Sequence, residues 1–303
     1  MSFRRILPLL GLLLFGFSNF AFAAQPLVTP DWILTNIGKP GLIFLDVRHS
    51  RAFARNTVPG AVNTSYGRDW LVKRQGVPGM IPAKDQLEKL IGDLGISNSD
   101  HVVILPGGYS ASEMGVATRI YWTLKVAGLD AVSILDGGMQ NYFALGNKAI
   151  TGAGNNRPKA AHFTVNMQTE LLVTDKDVHA ALSSGQSLID NRPPGQYLGI
   201  NSGGAPKRLG TLKPAVNIPA QWLTVDDGGT FRSASALKAL FAGVGAKASG
   251  PVINFCNTGH WASVGWFVTH ELMGNAQSRL YDGSMAEWTI DPKNPVEQKV
   301  VLD

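Results

Sequence analysis

The chain of 303 residues contains one cysteine, Cys256. No internal disulfide can form, and neither a cysteine-built zinc site nor an iron–sulfur cluster can be assembled from one chain. Charge is also sparse: 16% of residues are charged and the formal balance is only +5. No basic run accompanies it, so no nucleic-acid partner is expected. His49, His101, His162, His179 and His270 show no ligand spacing, and no metal is expected. Phosphate-binding glycine loops and collagen-like periods are missing too, and nothing calls for a cofactor. What the chain has in quantity is apolar side chains, 45% of the total. That rules out intrinsic disorder and supplies cores for about two domains.

The one long hydrophobic run lies at the amino terminus. Arg4 and Arg5 precede apolar residues 6–17, and Ala21-Phe22-Ala23 forms a small-x-small cleavage site before Ala24. This order of parts is that of a secretory signal peptide over residues 1–23. Ser18 and Asn19 interrupt the run too early for a retained anchor. The Arg pair admits a twin-arginine route, though so apolar a run suits the general secretory route better. The processed protein is expected to be periplasmic or secreted, without stable membrane insertion, and to have lost two of its positive charges. A lone thiol in an oxidising compartment has no partner in its own chain. It is either buried and inert or kept for its reactivity.

The rest of the chain reads as one long duplication. Residues 42–47 (LIFLDV) run into Asp46-Val47-Arg48, and residues 187–191 (SLIDN) into Asp190-Asn191-Arg192. Ala61-Val62-Asn63 recurs as Ala215-Val216-Asn217, strand 101–105 as strand 251–255, and Asp136-Gly137-Gly138-Met139 as Asp282-Gly283-Ser284-Met285. The markers keep their order, and their offsets drift only by loop-sized amounts. Short apolar runs suit the interior of a parallel sheet, and between them residues 84–94 and 234–241 carry helical spacing. The fold class is therefore α/β: two tandem domains, each a mainly parallel sheet flanked by helices. Their expected extents are 24–145 and 162–303, joined by a glycine-rich linker over 146–161.

Cys256 stands where a strand becomes a helix. Residues 252–255 form the strand, Asn257-Thr258-Gly259-His260-Trp261 a loop, and an apolar helix is expected from Ala262 to a stop at Gly274. Ligands of open α/β sheets bind at the carboxyl ends of strands. Loop amides and the helix dipole there favour an anion, and so a nucleophilic thiolate. A buried, inert cysteine has no need of Asn, Thr, Gly and His directly after it.

Cys256-Asn257-Thr258-Gly259-His260-Trp261-Ala262-Ser263 resembles the active-site loop of rhodanese sulfurtransferases. The Asp-x-Arg elements, Val58-Pro59-Gly60-Ala61 and the Asp-Gly-Gly/Ser elements fit that family as well. The resemblance covers essentially all of the processed chain and implies an inactive first domain and a catalytic second one. It implies thiosulfate or 3-mercaptopyruvate sulfurtransferase activity, in which Cys256 takes a sulfane sulfur, holds it as a persulfide and passes it to a thiol or cyanide. Asn257, Thr258, Gly259, His260, Trp261 and Ala262 would then cradle the persulfide or substrate, with Arg192 and Gln196 beside it.

The departures bear on substrate. The first copy has Pro106 where the second has Cys256. Asp46/Arg48 and Asp190/Arg192 read more naturally as structural ion pairs, Arg192 being the better functional candidate because its copy holds the cysteine. Gln196 stands where tandem members typically place an anion-holding arginine, and Thr57 where many first domains have a histidine that could relay a proton. Weak thiosulfate turnover is therefore expected, improved by Gln196→Arg and, below about pH 6.5, by protonation of His260; Arg192, then Lys207 and Arg208, are the other candidate cations. A cysteine phosphatase would need an arginine in the loop, and 257–262 has none. The alternative is a sulfane-sulfur carrier or accessory protein for a periplasmic respiratory enzyme, which leaves room for a periplasmic redox partner.

Overall fold

The apolar runs fall where a parallel sheet needs residues buried on both faces. The computed structural model describes residues 24–302; the expected signal peptide lies outside them. In the first half the strands are β1 (Leu27–Val28), β2 (Leu42–Asp46), β3 (Val62–Asn63), β4 (Val72–Arg74), β5 (Val77–Met80), β6 (His101–Leu105) and β7 (Val132–Leu135). In the second they are β8 (Leu172–Val173), β9 (Ser187–Asp190), β10 (Val216–Asn217), β11 (Val252–Phe255) and β12 (Ser278–Tyr281). One sheet runs β1-β7-β6-β2-β3 and the other β8-β12-β11-β9-β10, with all neighbours parallel. The second order repeats the first strand for strand. Even the register agrees: Asp46 pairs with Leu105, and Asp190 with Phe255. The chain is an α/β protein of two tandem domains, each a parallel sheet flanked by helices.

Helices Lys84–Asp93 and Ala234–Gly243 bury Leu87 and Ile91, and Leu237 and Phe241, as their spacing requires. Helix Ala111–Val126 behaves differently. It is buried nearly all round because it is wedged between its own sheet and the second domain. There Tyr121 meets Phe267 edge-on at 5.0 Å, Phe231 meets Phe267 at 5.2 Å, and the Thr118 and Ser263 hydroxyls lie 2.8 Å apart. A single apolar core runs from Leu45 and Ile104 through Tyr121 to Trp266 and Val252.

The Asp-x-Arg elements are part of the fold in both halves. Arg48 grips Asp46, which also accepts from Thr57 Oγ1 at 2.7 Å, while Asn63 ties down the carbonyls of Asp46 and Arg48. Arg192, Asp190, Thr211 and Asn217 repeat that network. Its presence in the half without a cysteine marks it as structural.

Two features depart from the repeat. Antiparallel β4 and β5 form a hairpin turning at Gln75 and Gly76 with φ of 49° and 87°; at the equivalent place the second half has an isolated antiparallel bridge, Thr224 with Phe231. Residues 146–161, expected as a linker, are bound along the first domain by Gly152 N to Thr57 O (3.1 Å), Asn155 N to Ala61 O (2.7 Å) and Ala161 N to Gly92 O (2.9 Å). Main-chain bonds replace apolar side chains there.

Candidate active site

Cys256 follows the last residue of β11 and is 2% exposed. Gly259 then takes a left-handed backbone, φ 80°, and begins helix His260–Trp266 at once. The helix thus starts two residues earlier than the expected Ala262, because this glycine closes the turn without steric cost. It continues as a π-helical segment, Phe267–Leu272. The carbonyls of Cys256 and Asn257 accept from Met285 N and Ala286 N, both at 3.0 Å. With those carbonyls drawn off, the first-turn amides of His260, Trp261 and Ala262, which have no partner within their helix, remain available to an anion.

Ser284 fixes the cysteine from behind. Its Oγ accepts from Cys256 N at 3.1 Å and donates to Tyr281 O at 2.7 Å. This serine has φ 48°, where the first domain has Gly138 at φ 59°. A non-glycine residue in that region is strained by about 1 kcal/mol or more, and the hydroxyl clamp on Cys256 is what the strain secures.

Above the sulfur is a cavity of about 340 Å³. Cys256, Asn257, Thr258, His260 and Trp261 form one side; Tyr66 and Leu71 of the first domain and Gly203 and Ala205 of an inserted segment form the other. Gly259 shapes the turn, and Ala262 is buried in the helix behind it. Arg192 and Gln196, expected beside the substrate, are not on the wall. The Arg192 guanidinium is committed to Asp190, Gly210 O and Asn257 Oδ1 and is 1% exposed. Gln196 is buried and accepts from Asn257 Nδ2 at 2.8 Å, so it positions Asn257. Lys207 does not line the cavity, and Arg208 is bonded to the carbonyls of Asn294 and Asp291. Among the described residues, no lysine or arginine lines it.

The first domain completes the site with residues that nothing in the sequence analysis singled out. Tyr66 OH lies 3.0 Å from His260 Nδ1, and Ser112 Oγ lies 3.3 Å from His260 Nε2. A β-carbon at Gly115 would stand 2.6 Å from Nε2. Glycine inside a helix costs about 1 kcal/mol relative to alanine; here it admits the His260 ring. Burial, assisted by Arg119, pushes His260 down to about 4, so it is neutral at pH 6.5, contrary to the sequence expectation. Burial likewise raises the Tyr66 hydroxyl and keeps it a neutral phenol.

Arg119, from helix Ala111–Val126, is a buried cation lying against this loop. It pairs with Asp282, donates to Gly79 O at 3.0 Å and stacks 4.6 Å over Trp122. A β-carbon on Gly259 would collide with its Nη1. Its signal in the sequence was a lone arginine inside an apolar helix.

The first domain shows what the loop becomes without a cysteine. Pro106 O and Gly107 O accept from Met139 N and Gln140 N at 2.8 and 2.9 Å, as in the second domain. The Glu113 carboxylate lies against Gly107 and accepts from Tyr109 N at 2.9 Å. This loop holds its own anion.

A cysteine at the end of a parallel strand, backed by free amides and present in only one of two repeated domains, defines a class of tandem α/β proteins built for thiolate chemistry. The chain belongs to the rhodanese family: the Rhodanese-like domain matches residues 29–145 and 174–291. A protein of Mycobacterium tuberculosis, provisionally named thiosulfate sulfurtransferase, is 29% identical over 280 residues, 89% of this chain and 97% of its own. A Haloferax volcanii protein with the same provisional name is 29% identical over 295 residues, covering 93% and 99%. Among solved structures, 3-mercaptopyruvate sulfurtransferase SseA of Escherichia coli superposes with TM-score 0.74 at 23% identity, covering 86% of this chain and 99% of that one. The anaerobic ergothioneine biosynthesis enzyme of Chlorobium limicola superposes with TM-score 0.76 at 21% identity, covering 91% and 71%.

Proposed function

We propose that the chain is a sulfurtransferase in which the Cys256 thiolate takes a sulfane sulfur from a small donor, holds it as a persulfide and passes it to a thiophilic acceptor. The observation that carries this reading is the environment of Cys256: carbonyls drawn away, first-turn amides free, and a cavity open above the sulfur. Thiosulfate, 3-mercaptopyruvate and polysulfide are the donor classes, with thiols or cyanide as acceptors. The relatives' names support the activity, while the cation-free wall argues against thiosulfate as the favoured donor. That same wall supports a second reading, a sulfane-sulfur carrier serving a periplasmic redox partner with little turnover of its own. Residues 1–23 are read as an export signal, so the working protein begins near Ala24 outside the cytoplasm; amino-terminal sequencing of the periplasmic fraction tests this.

The decisive experiment is intact-mass analysis after incubation with each donor. Wild type should gain one sulfur's mass, and Cys256→Ser none, because the serine hydroxyl is not a nucleophile at neutral pH without an activating base. Sulfur transfer by Cys256→Ser at the wild-type rate would end the reading. Stoichiometric loading with slow turnover for every donor would select the carrier.

A further inference from the structure

A cavity of about 370 Å³ in the first domain shares one wall residue, Tyr66, with the cavity over Cys256. Its lining is chemically different. Arg48, His49, Ser50, Ser65 and Arg68 line it, and among the described residues no carboxylate does. The two acids bonded to its arginines are already spent. Asp46 is fully buried and accepts from Arg48 and Thr57, while Asp69 accepts from Thr64 Oγ1, Ser65 N and Arg68. The groups left over can donate. Arg51 N donates to His49 Nδ1 at 3.2 Å, and since an amide N–H cannot accept, the ring proton sits on Nε2. Arg68 spends Nε and Nη2 on Asp69 and keeps Nη1. In the second domain Nη1 of Arg192 reaches Asn257 Oδ1, but Gly107 stands at that position in the first, so Arg48 has no such acceptor. Among the described residues neither the Ser50 nor the Ser65 hydroxyl has a partner.

The fold does not require these donors. Where the first copy has His49-Ser50, Ser65 and Arg68, the second has Pro193-Pro194, Pro219 and Trp222, around the same Asp-x-Arg and Asn network. Proline brings neither an N–H nor a side-chain donor, so a structural role shared by both copies does not account for the first copy's set. We propose that this cavity is a binding site for a small oxoanion, held by Arg48, His49 and Arg68 together with the two serine hydroxyls. Guanidinium N–H groups supply charge-assisted bonds, and the imidazole and hydroxyls reach the remaining oxygens. Each arginine already has its carboxylate, so the site works by converging hydrogen bonds rather than by net charge. Sulfite, the ion left when thiosulfate gives up its sulfane sulfur, and inorganic phosphate are two sources of this chemistry. The site lies beside the Cys256 cavity, whose own wall has no lysine or arginine among the described residues. It goes beyond the sulfurtransferase reading and stands without it.

The test is titration calorimetry of the processed chain carrying Cys256→Ser, which has no thiol to react. Sodium sulfite and sodium phosphate are added separately, with ionic strength held constant by chloride. Saturable binding is expected. Binding of both ions makes this a general oxoanion site; sulfite alone ties it to the products of sulfur transfer, and phosphate alone separates it from them. Arg68→Gln should weaken the binding about tenfold, the effect of one hydrogen bond to a charged group. His49→Asn should do the same, because its Oδ1 can still accept from Arg51 N while the Nε2 donor is gone. Both side chains are exposed, so neither change touches the core. No saturable heat with either ion, or unchanged affinity in both variants, overturns the assignment.

Discussion

Arg119→Met should be among the most costly single substitutions in the molecule. The arginine side chain is 0% and that of Asp282 6% exposed. Asp282 receives Arg119 on Oδ1 and Ile81 N on Oδ2, the latter at 3.0 Å. Methionine keeps most of the arginine stem's volume but strands the carboxylate with one amide donor. Breaking a buried pair from one side costs about 3–5 kcal/mol. Asp282→Asn should cost nearly as much, because the guanidinium then keeps only Gly79 O and a neutral amide, and its Nε and Nη1 already lack partners. The variant carrying both changes is the informative one. Its side-chain amide at position 282 still accepts from Ile81 N and no charge is buried, so the cost should fall to about 1–2 kcal/mol, a coupling well above 2 kcal/mol. Urea unfolding followed by tryptophan fluorescence measures all three, and the continuous core between the domains predicts one transition. Additive single effects below about 1 kcal/mol each would refute the clamp.

Ser284→Ala should be about 1 kcal/mol less stable than Ser284→Gly, since both lose the acceptor for Cys256 N but only glycine relieves the left-handed backbone; equal unfolding midpoints would contradict this. His260 has a folded pKa near 4, below its unfolded value of about 6.5, so stability falls as pH drops through that window. The slope is at most about 1.4 kcal/mol per pH unit and the total at most about 3.4 kcal/mol, a ceiling because part of the ring faces the cavity. His260→Asn should remove that component while His101, whose pKa burial also lowers, continues to contribute; an unchanged slope would sink the prediction. Thiosulfate turnover should show no gain near pH 6.5. Gln196→Arg, expected from sequence to lower the thiosulfate KM, should instead weaken the site, because it removes the nearer of two acceptors for Asn257 Nδ2 at a buried position, leaving only Ser202 O at 3.4 Å; a lower KM in steady-state kinetics would restore the sequence argument.

The duplication, the parallel sheets and the cysteine loop were legible because each leaves a local mark: an apolar run ending in Asp-x-Arg, or a Cys followed by Gly at a strand end. The misplaced anion site came from the same locality. Arg192 and Gln196 follow a matching motif, but Asp190, Gly210 and Asn257 claim their polar atoms, and no spacing along the chain reveals that competition. The β4–β5 hairpin was missed because its marker, Gln75-Gly76, is a weak turn signal between short runs. Tyr66 escaped for a simpler reason: it lies 194 positions from His260.

The dispensable-looking half of the duplication is what completes the catalytic half. Its own loop is occupied by the Glu113 carboxylate. Yet Gly79 lies against Thr258, Gly115 admits the ring of His260, Arg119 holds Asp282, and Tyr66 faces Cys256. These residues come from the hairpin, from a short helix and from helix Ala111–Val126, three segments ordered by the first domain's core. Helix Ala111–Val126 packs against helix His260–Trp266, its counterpart in the repeat, so the duplication itself brings the two equivalent helices together. The copy without a cysteine thus supplies Tyr66 and Leu71 to the wall of the other's site and, from its helix, Ser112 and Gly115 against the ring of His260. A chain cut within residues 146–161 should therefore lose the cavity, even though Cys256 and its amides all remain in the second fragment.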